Sequence, residues 1–422
     1  MSDDVMKRGT GMKFFHLSDL HIGKFLNGYN LRENQESVLM QIVAHARREK
    51  PDAILICGDI YDRAAPSGEA WQMCDRFLRE LSEIRPSIPV LLIAGNHDSP
   101  DRLSYASSFL EKHHICISVW PPRSEEEHLK KILLEDEYGP VAFYLLPFLK
   151  PGYVRPLFGE DKISDYESAV RAVLEREEID TSIRNVILSH QFYAGKNTMP
   201  DTCESETAVI MAGGLDMVSA SVLDAFDYAA LGHLHGGQSC GRREVRYCGS
   251  PCKYSVSEAD HKKALLMVTM GRKGEEVRLD FLPLEAPEDV RRVKGSLEEV
   301  LAAGRAFGAA WWEREEGEKS EPEPDPALSR RCRDYVSITV TEEEGSYRVR
   351  ERLEEVYDHM LELRFDNART RMRLQQEGEE MPFLQPLEAF RLFFERVRHE
   401  PLSAEEERIM ERIIQEAKEE ER

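Results

Sequence analysis

Five short polar motifs in this sequence each follow an apolar segment, and this arrangement constrains the fold more than any other feature. The apolar segments have the composition of buried strands, and they comprise residues 13–17, 53–57, 90–94, 143–146, 185–188 and 228–231. Between the first two, apolar residues recur at helical spacing from Val38 to Ala46. This rhythm predicts a strand, a crossover helix and a second strand. We therefore expect an α/β core over residues 12–285, with helices covering a sheet.

The polar motifs lie at or just after the carboxyl ends of predicted strands. They are Asp19-Leu-His21, Gly58-Asp59-Ile-Tyr-Asp62, Gly95-Asn96-His97-Asp98, Ser189-His190 and Gly232-His233-Leu-His235. Open α/β sheets place their functional sites at this edge, because the loops there converge on one crevice. We expect the five segments to meet at one point.

The residue types in these motifs are typical of a transition-metal site. Carboxylates, an amide oxygen and imidazoles are present, and thiolates are absent from the motifs. The spacing of two in Asp19/His21 and in His233/His235 can turn both side chains of a pair to the same side. Glycines precede Asp59, Asn96 and His233, where they allow tight turns and a close approach of the backbone.

The composition limits the classes of partner. The 422 residues carry a net charge of −22, which argues against coating nucleic acid or anionic membrane by bulk charge but leaves room for a local phosphate site. No apolar run approaches the roughly 18 residues of a membrane span, and the N-terminus lacks the apolar core of a signal peptide. We expect a cytoplasmic protein without a membrane partner.

The eight scattered cysteines are expected to be unpaired reduced thiols rather than a zinc site.

Beyond residue 285 the pattern changes to that of a small α+β domain, over residues 286–366. We predict a helix at 297–307, a solvated Glu/Pro-rich loop at 313–330, a strand at 335–341 and a helix at 347–363. A polar linker, 367–386, precedes a tail, 387–422, that contains two amphipathic helices. Ser403-Ala-Glu-Glu406 is a capping box for the second. Packing within the chain and docking of a partner are equal alternatives for the apolar faces of the tail.

The ordered set of motifs resembles the signature of the calcineurin-like metallophosphoesterase superfamily. Within it, residues 16–24, 52–63, 94–103 and 249–255 look like the nuclease subunits of bacterial exonuclease complexes. The resemblance implies a metallophosphoesterase β-sandwich flanked by helices, a capping domain and C-terminal docking helices. Residues 1–11 precede the usual start, so we expect Met12 to be the functional initiator and 1–11 to be an extension.

The resemblance also implies two divalent ions, with manganese as the metal. One ion would be bound by Asp19, His21, Asp59 and His235. The other would be bound by Asp59, Asn96, His190 and His233, so that Asp59 bridges the two. The donor set alone would also accept iron or zinc.

Two such ions can activate water and neutralise the charge that builds on a phosphoryl group. The leaving oxygen still needs a proton, and we assign this role to His97, with the neighbouring Asp98 expected to hold its ring. Asp62 is expected to support the bridging region rather than to bind metal.

The favoured hypothesis is a DNA nuclease that works with an SMC-like ATPase in DNA repair, recombination and replication. The resemblance implies an ATP-dependent double-strand exonuclease and a single-strand or hairpin endonuclease. The chain has no phosphate-binding loop of the Gly-x-x-x-x-Gly-Lys-Ser/Thr type, so ATP hydrolysis would belong to the ATPase, docked on residues 387–422.

Two further interfaces are expected on this hypothesis. Arg102, Lys253 and Tyr254 are candidates for contact with the DNA backbone, and predicted apolar helices at 71–81 and 103–110 are candidates for a homodimer contact. Packing of those helices on their own sheet is the simpler account. The competing functions are a phosphatase or small-molecule phosphodiesterase with the same core motifs, and a scaffold that has kept only the fold.

Overall fold

The computed structural model describes residues 11–196, 198–206, 217–316, 331–341 and 348–366, together with individual positions between 387 and 414. The extension 1–11, apart from Gly11, and the predicted linker 367–386 lie outside these residues. Within the described residues, no helix is both long and apolar enough to cross a membrane.

The helices are α1 (Arg32–Glu49), α2 (Gly68–Ser82), α3 (Pro100–Leu103), α4 (Ser107–Glu111), α5 (Pro151–Phe158), α6 (Tyr166–Arg176), α7 (Leu297–Glu316) and α8 (Val349–Glu354). The first strands are β1 (Met12–Leu17), β2 (Phe25–Leu26), β3 (Tyr29–Asn30), β4 (Ala53–Cys57), β5 (Val90–Ile93), β6 (Ile115–Ser118), β7 (Lys130–Asp136), β8 (Gly139–Leu146), β9 (Arg184–Ser189) and β10 (Phe192–Ala194). The later strands are β11 (Met217–Ser219), β12 (Tyr228–Leu231), β13 (Gln238–Cys240), β14 (Arg242–Tyr247), β15 (Ala264–Met270), β16 (Arg278–Pro283), β17 (Val290–Gly295), β18 (Cys332–Val340) and β19 (Tyr357–Phe365).

Two six-stranded sheets form the core, in the orders β16-β15-β1-β4-β5-β6 and β13-β14-β12-β9-β8-β7. In the first, β1, β4, β5 and β6 are parallel, and β15 runs antiparallel to β1. In the second, β8, β9, β12 and β14 are parallel, with β7 and β13 as antiparallel edges. All six predicted strands are confirmed, and so is the crossover helix α1 between β1 and β4.

The sheets pack face to face, because their central strands are apolar on both faces. Residues such as Phe14 and Leu55 of the first sheet and Phe143 of the second form one buried layer between them. Helices α1 and α2 cover the outer face of the first sheet, and α5 and α6 cover the outer face of the second. The predicted β-sandwich flanked by helices is confirmed.

The C-terminal part of the chain corrects two sequence predictions. Residues 347–363 were predicted as one helix, but α8 ends at Glu354 and β19 follows. Strand β19 is the edge of a three-stranded sheet in the order β17-β18-β19. Backbone pairing in this sheet outweighs the helical spacing of the apolar residues. The spacing alone does not show whether a partner strand is available. Helix α7 continues to Glu316, past the predicted start of the Glu/Pro-rich loop at 313, and residues 317–330 of that loop lie outside the described part of the chain.

By backbone contacts the chain divides into two units. The first contains residues 1–339 and 348–363, and the second contains residues 340–347 and 364–422. In the second unit, Ser403 and Glu406 form the predicted capping box, in which the Glu406 amide donates to Ser403 Oγ and the Ser403 amide donates to a Glu406 carboxylate oxygen. Ion pairs join Arg391 to Glu407, and Arg398 to Glu406 at 3.3 Å. The described parts of the two tail helices therefore contact each other.

The eight cysteines are free, as predicted. The predicted helix at 103–110 is instead two short helices, α3 and α4, because Ala106 between them adopts a left-handed conformation, with φ of 59°.

Candidate metal centre

The five motifs meet at one edge of the sandwich, as the strand ends predict. They follow β1, β4 and β5 of one sheet and β9 and β12 of the other. Among the described residues, three groups place one ligand atom per residue within 4.8 Å of one another, and they are Asp19 with His21 and His235, His21 with Asp59 and His97, and Asp19 with Asp59 and His190.

Four of the converging side chains sit on left-handed backbone. The φ angles are 54° at Asp19, 41° at His21, 51° at Asp59 and 102° at His233. Such conformations cost about 1–3 kcal/mol each in non-glycine residues and cluster at functional sites. Hydrogen bonds between the loops hold them, since the Asp19 amide donates to the Gly58 carbonyl at 3.0 Å and the His21 amide donates to the Asp59 carbonyl at 2.9 Å.

The glycines of the motifs provide the predicted close approach. A Cβ at Gly95 would lie 2.2 Å from Asp59 Oδ1, and one at Gly58 would lie 2.3 Å from His190 Nδ1. A Cβ at Gly232 would lie 2.0 Å from a backbone carbonyl oxygen. These separations leave no space for a side chain, so the backbones of the loops pack directly beneath the polar cluster.

The tautomer of His190 suits metal binding. Its Nδ1 lies 2.7 Å from the Cys57 carbonyl oxygen, which can only accept, so Nδ1 carries a proton. In the neutral ring, the Nε2 lone pair then faces Asp59 Oδ2 at 3.3 Å and Asn96 Oδ1 at 3.1 Å. Burial disfavours a charge on this ring, but the Asp59 carboxylate outweighs burial and raises the pKa of His190 to about 9, so without metal a proton on Nε2 lies between these atoms. A divalent cation that replaced this proton would have all three atoms as donors.

His233 joins this first set of donors, because its Nδ1 lies 3.1 Å from Asn96 Oδ1. A second set lies beside the first, in which His21 Nε2 is 3.1 Å from His235 Nε2 and 3.6 Å from Asp59 Oδ2. Burial lowers the pKa of His21 well below its ordinary value and that of His233 to about 3, which favours the neutral imidazole that coordinates metal. Because Asp59 faces both sets, the donors fit two neighbouring cations.

His97 stands at the open side of this cluster. Its ring lies 4.8 Å from the His21 ring, and its Nδ1 lies 2.9 Å from the Asp62 carbonyl oxygen. Asn96, His97 and His233 are partly exposed, whereas Asp19, His21 and Asp59 are buried. Among the described residues, the cluster is therefore most accessible on the side of Asn96, His97 and His233.

The predicted role of Asp98 in holding the His97 ring is wrong. Both oxygens of the buried Asp98 carboxylate accept backbone hydrogen bonds, from the amides of Ile60 at 3.1 Å, Tyr61 at 3.0 Å and Gly95 at 2.9 Å. Burial, with the nearby Asp59 charge, raises the pKa of Asp98 to about 6. Asp98 thus joins the loops after β4 and β5, and the Asp62 carbonyl holds the ring.

The three predicted DNA contacts differ in their surroundings. Arg102 is exposed, and its guanidinium donates to the Ala64 carbonyl at 3.0 Å. Lys253 Nζ pairs with Asp289 at 2.8 Å. The prediction is wrong for Tyr254, whose residue is only 3% exposed and lies beneath the cluster. Contact with DNA stays a prediction for Arg102 and Lys253.

Sequence reasoning missed Gln35 of α1, a residue that holds the first motif. Its Nε2 donates to the carbonyls of Leu20 at 3.1 Å and His21 at 2.8 Å, and its Oε1 accepts from the Gly23 amide at 3.0 Å. A signal was present, since Gln35 occupies the buried stripe of α1 three residues before Val38. A polar residue on the apolar stripe of a helix indicates a buried hydrogen-bonding role.

Comparisons with known proteins agree with this geometry. The calcineurin-like phosphoesterase family model matches residues 12–181, and a model described as the type 5 capsule protein repressor C-terminal domain matches residues 286–398. SbcD, the D component of the nuclease SbcCD from Staphylococcus epidermidis, is 31% identical over 292 residues, which cover 69% of this chain and 74% of that protein.

Two solved structures are also similar in part. TT1561 of Thermus thermophilus has a TM-score of 0.37 at 12% identity, covering 64% of this chain and 99% of the other. A dimetal phosphatase from Danio rerio has a TM-score of 0.34 at 14% identity, covering 65% and 96%.

The β-sandwich, the converging loops and the family match define a calcineurin-like phosphoesterase, a class of metal-dependent hydrolases. Within that class, the chain belongs to the SbcD family of nuclease subunits.

Proposed function

We propose that this chain is the nuclease subunit of an SbcCD-type complex and hydrolyses DNA phosphodiester bonds with two divalent ions, most readily Mn²⁺. The observation that supports the proposal is the convergence of three ligand groups, two of which share Asp59 and one of which includes His97. The proposed ligands of one ion are Asp19, His21, Asp59 and His235. Those of the other are Asp59, Asn96, His190 and His233.

When bound, the ions would supply Lewis acidity, activating water and neutralising charge on the phosphoryl oxygens. The residues of the chain would position the ions and supply a proton to the leaving oxygen. The Asp62 carbonyl can only accept, so it keeps a proton on His97 Nδ1 and leaves Nε2 as the ring atom that can exchange a proton with a substrate. Nε2 is therefore the group that we assign to the leaving oxygen of the DNA strand.

We further propose an SbcC-type SMC-like ATPase as the partner. The similar Staphylococcus epidermidis protein is by its name one subunit of the nuclease SbcCD, and the C-terminal family match extends to residue 398, inside the tail. The tail 387–422 would dock on the ATPase, which would make duplex exonuclease activity ATP-dependent. Roles in repair, recombination and replication would follow from the action of this complex on DNA ends and hairpins.

A homodimer through the nuclease domain completes the proposal. Helix α2 buries Met73 and Phe77 in its own core, which supports intramolecular packing for most of its apolar face, whereas Trp71 of the same helix is 37% exposed. Tyr105 and Phe109, around α4, are 79% and 62% exposed. These two aromatic side chains support a contact with a second copy of the chain.

The test is a nuclease assay of the purified chain with Mn²⁺, using linear duplex, single-stranded and hairpin DNA beside p-nitrophenyl phosphate. An Asp59→Asn variant controls for contaminating nucleases. We expect metal-dependent cleavage of single-stranded or hairpin DNA by the chain alone, and duplex degradation that requires SbcC and ATP. Robust phosphomonoester hydrolysis without DNA cleavage, even with SbcC and ATP present, would overturn the proposal in favour of a phosphatase.

A further inference from the structure

The hydroxyl of Ser205 lies between the His235 imidazole and the Glu258 carboxylate. Ser205 Oγ is 2.8 Å from His235 Nδ1, and it donates to Glu258 Oε1 at 2.6 Å. A hydroxyl has one hydrogen. Because Ser205 gives that hydrogen to Glu258, it can only accept from His235, so His235 Nδ1 must carry a proton.

The Glu258 carboxylate is held as an anion by its neighbours. It is fully buried, and it accepts hydrogen bonds from Lys263 Nζ at 2.5 Å, the Tyr254 amide at 3.1 Å and Ser255 Oγ at 3.1 Å. Each of these partners donates, which only an ionised carboxylate satisfies at both oxygens. Lys263 also donates to the His235 carbonyl at 2.9 Å. The buried negative charge of Glu258 is therefore paired with a positive charge beside His235.

The segment 201–206 holds the backbone of His235 as well as its ring. Glu206 Oε1 accepts from the His235 amide at 2.7 Å, and Glu206 Oε2 accepts from the Cys203 amide at 2.8 Å. The ring of His190 is held differently, because its Nδ1 donates to a main-chain carbonyl, that of Cys57. A side-chain substitution can remove the support of His235 but not that of His190.

We propose that Ser205 and Glu258 are positioning residues that fix the proton of His235 on Nδ1 and direct its Nε2 lone pair to one of the two cations. This inference rests on the dimetal centre of the proposed function and adds an asymmetry to it. The cation held by Asp19, His21 and His235 depends on the Ser205–Glu258 pair. The cation held by Asn96, His190 and His233 does not.

The test is Mn²⁺ binding to the metal-free full-length chain, measured by calorimetry and by the EPR signal of free Mn²⁺. The variants are Ser205→Ala and Glu258→Gln, with Ser205→Thr as the conservative rescue that keeps the hydroxyl. Ser182→Ala is the matched control, because the exposed Ser182 Oγ donates to Asp180 Oδ1 at 2.6 Å in the loop before β9. This loop lies at the opposite end of β9 from His190. Thermal unfolding of each metal-free variant checks that the fold is intact.

We expect the wild type to bind two ions. Ser205→Ala and Glu258→Gln should each lower the affinity for one of the two ions by about 10- to 100-fold. This is the usual effect of removing a residue that orients a metal-ligating histidine. The second ion should bind with unchanged affinity, and Ser205→Thr and Ser182→Ala should match the wild type. Equal binding of both ions by Ser205→Ala and the wild type would overturn the inference while leaving the dimetal centre intact. A wild type that binds fewer than two ions would instead overturn the dimetal proposal and this inference with it.

Discussion

The backbone amide of His97 donates a 2.9 Å hydrogen bond to Oδ1 of Asp59. The residue assigned to the leaving group is thereby attached to the carboxylate that faces both sets of metal donors. Asp98 strengthens the same connection, because its carboxylate accepts amides from the loop after β4 as well as that of Gly95. A displacement of either loop would therefore move the donors and the proton-transfer group together.

Asp59→Asn should abolish Mn²⁺-dependent cleavage while preserving the fold. Asparagine tolerates the left-handed backbone at this position, where φ is 51°, and its amide oxygen can still accept from the His97 amide. The loss of the negative charge should weaken the binding of both ions. The decrease in affinity should exceed the about 10- to 100-fold that is typical of a residue supporting a metal ligand. Calorimetric Mn²⁺ titration checks this, with thermal unfolding as the fold control. Two tightly bound ions in the variant would contradict the bridging role.

His97→Gln should lower DNA cleavage by about 10²- to 10⁴-fold, the usual contribution of a general acid. Both ions should remain bound, because His97 is not a proposed ligand. The loss should be much smaller with bis-p-nitrophenyl phosphate, since its leaving group departs without a proton. Parallel kinetics on the two substrates provide the measurement. An equal loss on both would show that His97 acts in binding or folding.

Asp98→Asn should reduce stability as well as activity. The carboxylate accepts from three backbone amides, and an asparagine side chain would turn a donor towards at least one of them. The expected cost is about 1–3 kcal/mol for an unsatisfied buried group, measured by urea unfolding of the metal-free protein. Asp101→Asn is the matched control, because Asp101 is exposed and should leave stability unchanged. Full stability of the Asp98 variant would disprove the structural role.

The pair formed by the buried Arg184 and the partly buried Asp136 should make stability pH-dependent at the edge of the sandwich. Arg184 donates to the two carboxylate oxygens at 2.8 and 2.5 Å. Burial alone would raise the pKa of Asp136, but the hydrogen bonds from Arg184 and from the Tyr138 amide outweigh it and lower the pKa below its usual range. A lowered carboxyl pKa stabilises the fold above the unfolded value, about 3.9, and this contribution is lost as the pH falls through the folded value.

Asp136→Asn should therefore cost about 1.5–3 kcal/mol near neutral pH, as expected when a hydrogen bond to a charged group is lost. The difference from the wild type should shrink below about pH 3.9, the unfolded pKa. Urea unfolding of the metal-free protein as a function of pH measures it. A difference that stays constant down to acid pH would rule out the ion pair as its source.

Deletion of residues 387–422 should leave the Mn²⁺-dependent nuclease activity of the isolated chain intact and abolish co-purification with SbcC. The catalytic loops lie in the first contact unit, whereas the tail belongs to the second. Affinity co-purification after co-expression measures the association. If the truncated chain still associates, the apolar faces of the tail pack within the chain instead.

The sequence predicted those features that depend on local pattern. Apolar runs such as 53–57 have the composition of buried strands, and a strand followed closely by Asp59 or His190 places that residue at the carboxyl edge of a sheet. The glycines before Asp59 and His233 predicted a close approach of the backbone, and only glycine permits the contacts found there. The predictions that failed depended on partners distant in sequence. Residues 357–365 became a strand because β18 was available to pair with them, and Tyr254 was drawn inward by packing beneath His21 and His235.

The sequence by itself determined the α/β core, the order of the motifs and the chemical type of each donor, because strand periodicity and residue chemistry are local properties. Only the tertiary structure decided which hydrogen-bond partner each side chain of the site has. It assigned the His97 ring to the Asp62 carbonyl rather than to the adjacent Asp98, and it brought Ser205 and Glu258 to His235. Hydrogen bonds act over about 3 Å, and neighbours at that distance are set by how the two sheets and their loops pack, not by position along the chain.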